Sequence, residues 1–401
     1  MGKKVKMSGT AAVAQAVKFA DVDVICSYPI RPYTATMIEL ARMVATGELD
    51  AEFVHGEGEH AQLSVVLGAS AAGARVFTGT AGVGFTYAFE TYSPIAGEFH
   101  PVQCMVANRT LDPPGDFGSE HTEVLSARDQ GWITGWAESP QEAFDNTLIY
   151  YRIGEDPRVM LPQFPCQDGY FISHIPGEVE LPEPGQVESF LPPFKPKHSL
   201  DPEKPVIMGP QGRPDQGAAI ELCRTNAMKR ARPVIVEVMK DFALKFGRSY
   251  DPFIEKYKTE DADYIFVGQG AHARTAKAAV DTLRSYGEKV GLARIRFWRP
   301  FADDDLAETV GHARVVGVLE NSNSFGSALD SGPVTIETRA ALYDLEKRPK
   351  VLTFMEGLGG EVVRLRDFYW MFKVMKEAAG LRKPNKQVFW VGFDTGAVEE
   401  A

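Results

Sequence analysis

GEHAQLSVVLGASAAGARVFTGTAGVG, residues 58–84, is the stretch that decides the fold class. Residues 58–73 are alanine-rich and read as a helix, and Ala61, Gly68, Ala69, Ser70, Ala71 and Ala72 are small enough for another element to approach closely. Val76-Phe77-Thr78 reads as a strand that breaks into Gly79-Thr80-Ala81-Gly82-Val83-Gly84. The same helix–strand alternation continues on both sides. Upstream, residues 9–19 and 34–45 have helical spacing. Residues 23–27 form a β-branched run ended by Tyr28-Pro29, and residues 52–55 read as a strand. Downstream, a strand over 102–106 ends in Ala107-Asn108-Arg109-Thr110. This alternation predicts an α/β fold with a parallel sheet covered on both faces. Ligands in such sheets bind at the carboxyl ends of strands, so the loops at Tyr28, Glu57, Gly79 and Asn108 are expected on one rim.

Eight prolines between residues 182 and 210 predict an extended connector without helix or central strand. Helical patches are expected at 216–230 and 252–257. A second α/β unit follows, with strands over 264–267, 290–296, 315–319 and 351–354 and a helix over 273–286. The expected division is 1–180, 181–258 and 259–401.

The chain has 401 residues, and 43 basic against 54 acidic side chains give a net charge of −11. That balance offers no electrostatic footprint for nucleic acid or an anionic membrane. No apolar run approaches the ~20 residues of a spanning helix, and no signal peptide is evident. Cys26, Cys104, Cys166 and Cys223 are scattered. No local zinc or clustered iron–sulfur ligand set is expected, nor a disulfide framework; each reads as a buried small hydrophobe in a reducing cytoplasm.

Two glycine-rich turns invite a nucleotide reading, and both fall short. Gly268-Gln269-Gly270-Ala271-His272-Ala273 lacks the third glycine, and no acid ends the next strand. Residues 79–84 lack the Lys-Ser/Thr of a P-loop. Glu57 and Glu59 precede an apolar helix and, taken alone, read as N-terminal caps. His55 and His60 lack zinc-protease spacing. Arg31 and Arg109 each follow a strand end, and two guanidiniums on one rim suit a small dicarboxylate. Residues 111–118, with Asp112, Asp116 and Phe117, form a loop that is either a turn or a mobile flap.

Together these pieces resemble the α subunit of the 2-oxoacid:ferredoxin oxidoreductases. The resemblance is carried by Gly9-Thr10-Ala11-Ala12, Tyr28-Pro29-Ile30-x-Pro32, the Gly68–Ala74 run with Phe77-Thr78-Gly79-Thr80, the SEHTEVLSARDQG segment at 119–131, Val267-Gly268-Gln269-Gly270, Arg299-Pro300-Phe301 and Gly357-Leu358-Gly359-Gly360. It implies a pyrimidine-binding domain of the thiamine-diphosphate fold and a transketolase-C-like domain. It also implies thiamine diphosphate shared with a β subunit, Mg²⁺ and [4Fe-4S] clusters in partner subunits (cluster-bearing and γ-type chains among them), ferredoxin as electron acceptor and a cytoplasmic location. No metal site is expected in this chain.

By position, Glu59 matches the family's glutamate, which overturns the capping reading. The resemblance implies that its carboxyl hydrogen-bonds pyrimidine N1′ and favours the imino form that removes the C2 proton. Tyr28, Pro29 and Thr80 fall on the cofactor side, and Arg109 matches the arginine that receives the substrate carboxylate. The family usually has Thr where this chain has Arg31. Facing a methyl group, Arg31 would be an unpaired charge; facing a second carboxylate it would be paired. That departure points to the oxalate-oxidising members: oxalate to two CO₂, two electrons to clusters, no coenzyme A, with Asp112 or Asp116 gating CO₂ release. The alternatives are a coenzyme A-dependent pyruvate or other 2-oxoacid enzyme with Arg31 turned away, and a non-catalytic assembly subunit.

Overall fold

The computed structural model describes residues 2–113, 115–183 and 185–396. Fifteen strands are defined: β1 Lys3–Met7, β2 Val24–Ser27, β3 Glu52–His55, β4 Val76–Thr80, β5 Gln103–Asn108, β6 Ile133–Ala137, β7 Gln163–Asp168, β8 Gly177–Leu181, β9 Ile254–Tyr257, β10 Tyr264–Gly268, β11 Val290–Ile295, β12 Phe297–Arg299, β13 Val315–Glu320, β14 Lys350–Met355 and β15 Val388–Trp390. The first sheet runs β12-β6-β7-β5-β4-β2-β3 and is parallel except for β12. The second runs β15-β14-β13-β10-β11-β9 and is parallel except for β9. A small antiparallel pair joins β1 to β8.

Strands β4, β5, β6 and β7 are buried along their whole length, as a sheet covered on both faces requires. Helix Gly9–Phe19 starts at Ser8, whose side chain caps the Ala11 N–H, and it buries Ala12, Val13, Ala16 and Val17. Helix Pro140–Gly154 is capped by Ser139 and buries nearly every residue against the sheet. Stacked Trp132 and Phe164, 3.9 Å between ring centres, fill the core. In the first sheet the strand order turns at β2: β3 lies on one side and β4 on the other. That switch point opens a crevice at the strand carboxyl ends.

Five expectations are corrected. Residues 252–257 are not helical: Ile254, Glu255, Lys256 and Tyr257 pair with β11, so this end of the connector belongs to the second sheet. The connector does hold a helical turn, Gln186–Phe190, in a proline-free interval. The helix expected to end near Arg230 runs Pro214–Phe246 with Pro233 inside it. Within the alanine-rich helix, Gly68 and Ala72 face outward, and a side chain at Gly68 would meet no atom of this chain. Cys26, Cys104 and Cys166 are buried, whereas Cys223 is exposed. No helix among the described residues is long and apolar enough to cross a membrane.

Candidate active site

Gln62, fully buried, ties the crevice together. Its Nε2 donates to the Gly79 carbonyl at 2.9 Å, and its Oε1 accepts the Tyr28 N–H at 2.7 Å. One side chain thus links the ends of β2 and β4 to helix Glu59–Ala71. The signal for it in the sequence was weak, because Gln62 looks like any polar residue on a helix. Tyr33 packs its ring on Gly79 and hydrogen-bonds Ser27 Oγ at 2.5 Å.

Glu59 opens that helix and is 5% exposed. Burial raises its pKa above the ordinary glutamate value, and a hydrogen bond from its own N–H opposes the shift. The carboxyl lies against Gly84, where any Cβ would overlap it. Two residues earlier in the same turn, the first of helix Gly82–Tyr87, Gly82 (φ 49°) faces Arg109; a Cβ there would sit 2.7 Å from Arg109 Nε. The glycines of this turn are the surface on which Glu59 and Arg109 both rest. Thr80, the last residue of β4, is fully buried, and its Oγ1 has no partner among the described residues.

Arg109 is 6% exposed. Its guanidinium lies 4.9 Å from the centre of the Phe117 ring and 3.5 Å from Asp112 Oδ2, and its Nε has no hydrogen-bond partner among the described residues. Arg31 differs: it is exposed in the turn after β2, and no ion pair or hydrogen bond holds its side chain among the described residues. Tyr28 is half-buried and Pro29 exposed. The structure therefore groups Glu59, Gly82, Gly84 and Arg109, and records no contact between Arg31 and Arg109.

The loop carrying Asp112, Asp116 and Phe117 folds on itself. Thr110 N–H donates to the Gly118 carbonyl at 2.9 Å, Thr110 Oγ1 to the Asp116 carbonyl at 2.6 Å, and Gly118 N–H to Asp116 Oδ1 at 2.9 Å. Gly118 packs against Gly359 and Gly360 of the second α/β unit. Pro114 lies outside the described residues.

The other glycine turn, after β10, meets Asp168 at the end of β7. Asp168 Oδ2 accepts the Ala271 N–H at 2.7 Å, and Oδ1 faces His121 Nε2 at 3.1 Å and Ser119 Oγ at 3.3 Å. Burial pushes the Asp168 pKa up, but His121, His272 and the Ala271 N–H outweigh it and hold it below the usual range. Burial pulls His272 down, but Glu356, 2.7 Å away, and Asp168 together raise it. A cavity of about 1000 Å³, lined by Phe99, His100, Phe194, Ile207 and Ile220, includes none of Glu59, Arg31 or Arg109.

A parallel sheet with a buried acid at its switch point, joined to a second α/β unit, is the architecture of thiamine-diphosphate enzymes. A solved 2-oxoglutarate:ferredoxin oxidoreductase from Magnetococcus marinus superposes with a TM-score of 0.70 at 17% identity, over 94% of this chain and 66% of that one. A split-gene transketolase superposes at 0.52 and 12% identity. Residues 15–240 match the pyruvate flavodoxin/ferredoxin oxidoreductase thiamine-diphosphate-binding family, and residues 262–368 match pyruvate:ferredoxin oxidoreductase core domain II. Pyruvate synthase subunit PorA of Methanocaldococcus jannaschii is 37% identical over 96% of this chain and 97% of its own length. Ketoisovalerate oxidoreductase subunit VorA of Pyrococcus horikoshii is 36% identical over 97% of each. The chain belongs to the 2-oxoacid:ferredoxin oxidoreductase family, among its α-type subunits. These relatives carry pyruvate and ketoisovalerate names, so the closeness to oxalate oxidisers read from Arg31 is unsupported.

Proposed function

We propose that this chain is the α subunit of a coenzyme A-dependent 2-oxoacid:ferredoxin oxidoreductase, with a pyruvate-like or branched 2-oxoacid as substrate. One observation carries the reading: the buried Glu59 carboxyl and the Arg109 guanidinium rest on the same glycine turn. When bound, thiamine diphosphate supplies a nucleophilic carbon and an electron sink. The residues fit that group. Glu59 holds its proton to higher pH than a solvated glutamate and can share it with a ring nitrogen. Thr80 Oγ1 needs a polar partner, Gly84 leaves the carboxyl uncovered, and Tyr28 and Pro29 border the same strand ends. Arg109, with an unpartnered Nε, receives the substrate carboxylate.

A β subunit completes the site and brings Mg²⁺; cluster-bearing and γ-type chains carry electrons through [4Fe-4S] clusters to ferredoxin. Supporting this, Val83, Tyr87 and Phe89 stand 41%, 64% and 38% exposed on and beside helix Gly82–Tyr87, and Tyr87 lies over Gly58, next to Glu59. The Thr110–Gly118 loop, with Asp112 and Asp116, gates the Arg109 side. The division into a pyrimidine-binding domain, a connector and a transketolase-C-like domain goes with this reading, as does a cytoplasmic location.

The second reading, oxalate oxidation without coenzyme A, requires the exposed Arg31 to face the substrate beside Arg109 in the assembled complex. The test is anaerobic dye reduction by the assembled complex, offering pyruvate, 2-oxoisovalerate and oxalate with and without coenzyme A. Reduction by a monocarboxylic 2-oxoacid only with coenzyme A is expected. Reduction by oxalate alone would replace the first reading with the second. An inert assembly subunit requires Glu59→Gln to leave activity intact.

A further inference from the structure

Glu123 is a fully buried acid beside the candidate site that the reading above does not use. Its Oε1 accepts two hydrogen bonds, from the Arg109 backbone N–H at 2.7 Å and from Asn108 Nδ2 at 3.2 Å. Its Oε2 has no partner among the described residues. A buried carboxylate with one oxygen unpaired is costly, whereas a neutral carboxyl in the same place is tolerable. The grip extends further. Asn108 Oδ1 accepts Trp136 Nε1–H at 2.9 Å, and the Trp136 ring lies 4.7 Å from the His121 ring. His121 in turn meets Asp168 and Gln269. The helix that carries Glu123, Thr122–Ser126, is tied to the second α/β unit by the His121 N–H, which donates to the Asn321 carbonyl at 3.0 Å.

We infer that Glu123 is a positioning residue for Arg109, holding its main chain so that the guanidinium stays on Gly82, and that the carboxyl must be neutral for Arg109 to attract a 2-oxoacid carboxylate at full strength. This rests on Arg109 as the carboxylate receptor. An ionised Glu123 would put a negative charge on the main chain of the residue whose guanidinium is already 3.5 Å from Asp112, and the field drawing in an anion would fall. Burial pushes the Glu123 carboxyl up to about 8, and Glu120 adds to the rise. The N–H groups of Arg109 and of Glu123 itself, and Asn108, oppose it. Among the described residues, Tyr92 of helix Phe89–Gly97 and Cys166 of β7 also face it; burial raises both, so they stay neutral through this range.

The sign follows: Glu123 is neutral below about pH 8 and ionised above it. The test is KM and kcat for the 2-oxoacid on the assembled, cofactor-loaded complex, from about pH 6.5 to about pH 9.5. In the unaltered complex KM should rise roughly tenfold across that range with a smaller change in kcat. Glu123→Gln should remove the rise, since an amide cannot ionise. Glu123→Leu should raise KM about tenfold at neutral pH, because the Arg109 N–H and Asn108 lose their acceptor. A Gln variant whose KM climbs as in the unaltered complex overturns the inference, and it decides the matter even if the Leu variant fails to assemble. Arg109→Gln runs alongside. If it leaves KM unchanged, the receptor assignment fails. If it raises KM while neither Glu123 variant shifts anything, only the inference about Glu123 fails.

Discussion

Two glycine turns in this molecule look alike and do opposite things. One follows β4 and the other β10; both strands are buried, and both turns carry a glycine at positive φ, Gly82 at 49° and Gly270 at 69°. The first opens toward Glu59 and Arg109, which lie on its glycines. The second is plugged: Asp168, from the other sheet, takes the Ala271 N–H, and a Cβ at Gly270 would meet Asp168 Oδ2 at 2.6 Å. A helix N-terminus with free N–H groups accepts an anion, and here the protein supplies its own. The turn that resembled a dinucleotide motif is a joint between the two α/β units. What a glycine turn does is decided by the residue that arrives from elsewhere in the chain.

The comparison can be broken most forcefully at the open turn. Glu59→Gln should lower turnover of the assembled complex by about 10²-fold or more, with assembly intact on size-exclusion chromatography. Unchanged turnover would make that turn as structural as its counterpart. Paired alanines come next. Gly84→Ala should cost roughly tenfold or more in activity with little change in melting temperature, because its Cβ displaces the Glu59 carboxyl. Gly270→Ala should reverse the pattern, at about 1–3 kcal/mol of stability from the positive φ alone. If both variants lose activity and keep stability, the two turns are not different in kind.

Asp168→Asn should cost about 1.5–3 kcal/mol, by removing a charged acceptor shared by Ala271, Ser119 and His121. The pH dependence has a definite sign. The Asp168 pKa is depressed, so its contribution is present above the unfolded value near 4 and fades as pH falls below it. The His272 pKa is raised, so its contribution is full below about 6.5 and fades as pH rises through the folded value. The joint should be firmest between about pH 4 and about pH 6.5, and Asp168→Asn should flatten the acid side of a melting profile. The smallest effect is expected from Ser119→Ala, which removes one acceptor for the Gly169 N–H, at about 1 kcal/mol. A larger loss would mean that Ser119, rather than Asp168, is the keystone of the closed turn.

Much of the first sheet was legible because its strands are short apolar runs flanked by glycine, proline or a helix start. Strand β3 and helices Gly9–Phe19 and Thr34–Ala45 fall where their spacing puts them. Strand β9 was not legible. Ile254-Glu255-Lys256-Tyr257 is strand only because β11 lies beside it and Arg294 grips Glu255. The ion cluster of Arg294 and Arg296 with Glu142, which joins the two units, leaves no local trace either, since its members lie about 150 positions apart. At the site, Glu59 and Arg109 lie against Gly84 and Gly82, a meeting that their spacing in the sequence does not reveal. Gln62 and Glu123 escaped because each works by hydrogen-bonding backbone that sequence spacing does not reveal.

The Gln62 bridge separates two things that evolution can then alter one at a time. The ends of β2 and β4 and the helix bearing Glu59 move as one piece. Three residues past the bridged Tyr28 amide, the chain is exposed and unattached at position 31. A substitution at position 31 therefore leaves the Gln62 bridge, and with it the placement of Glu59, untouched.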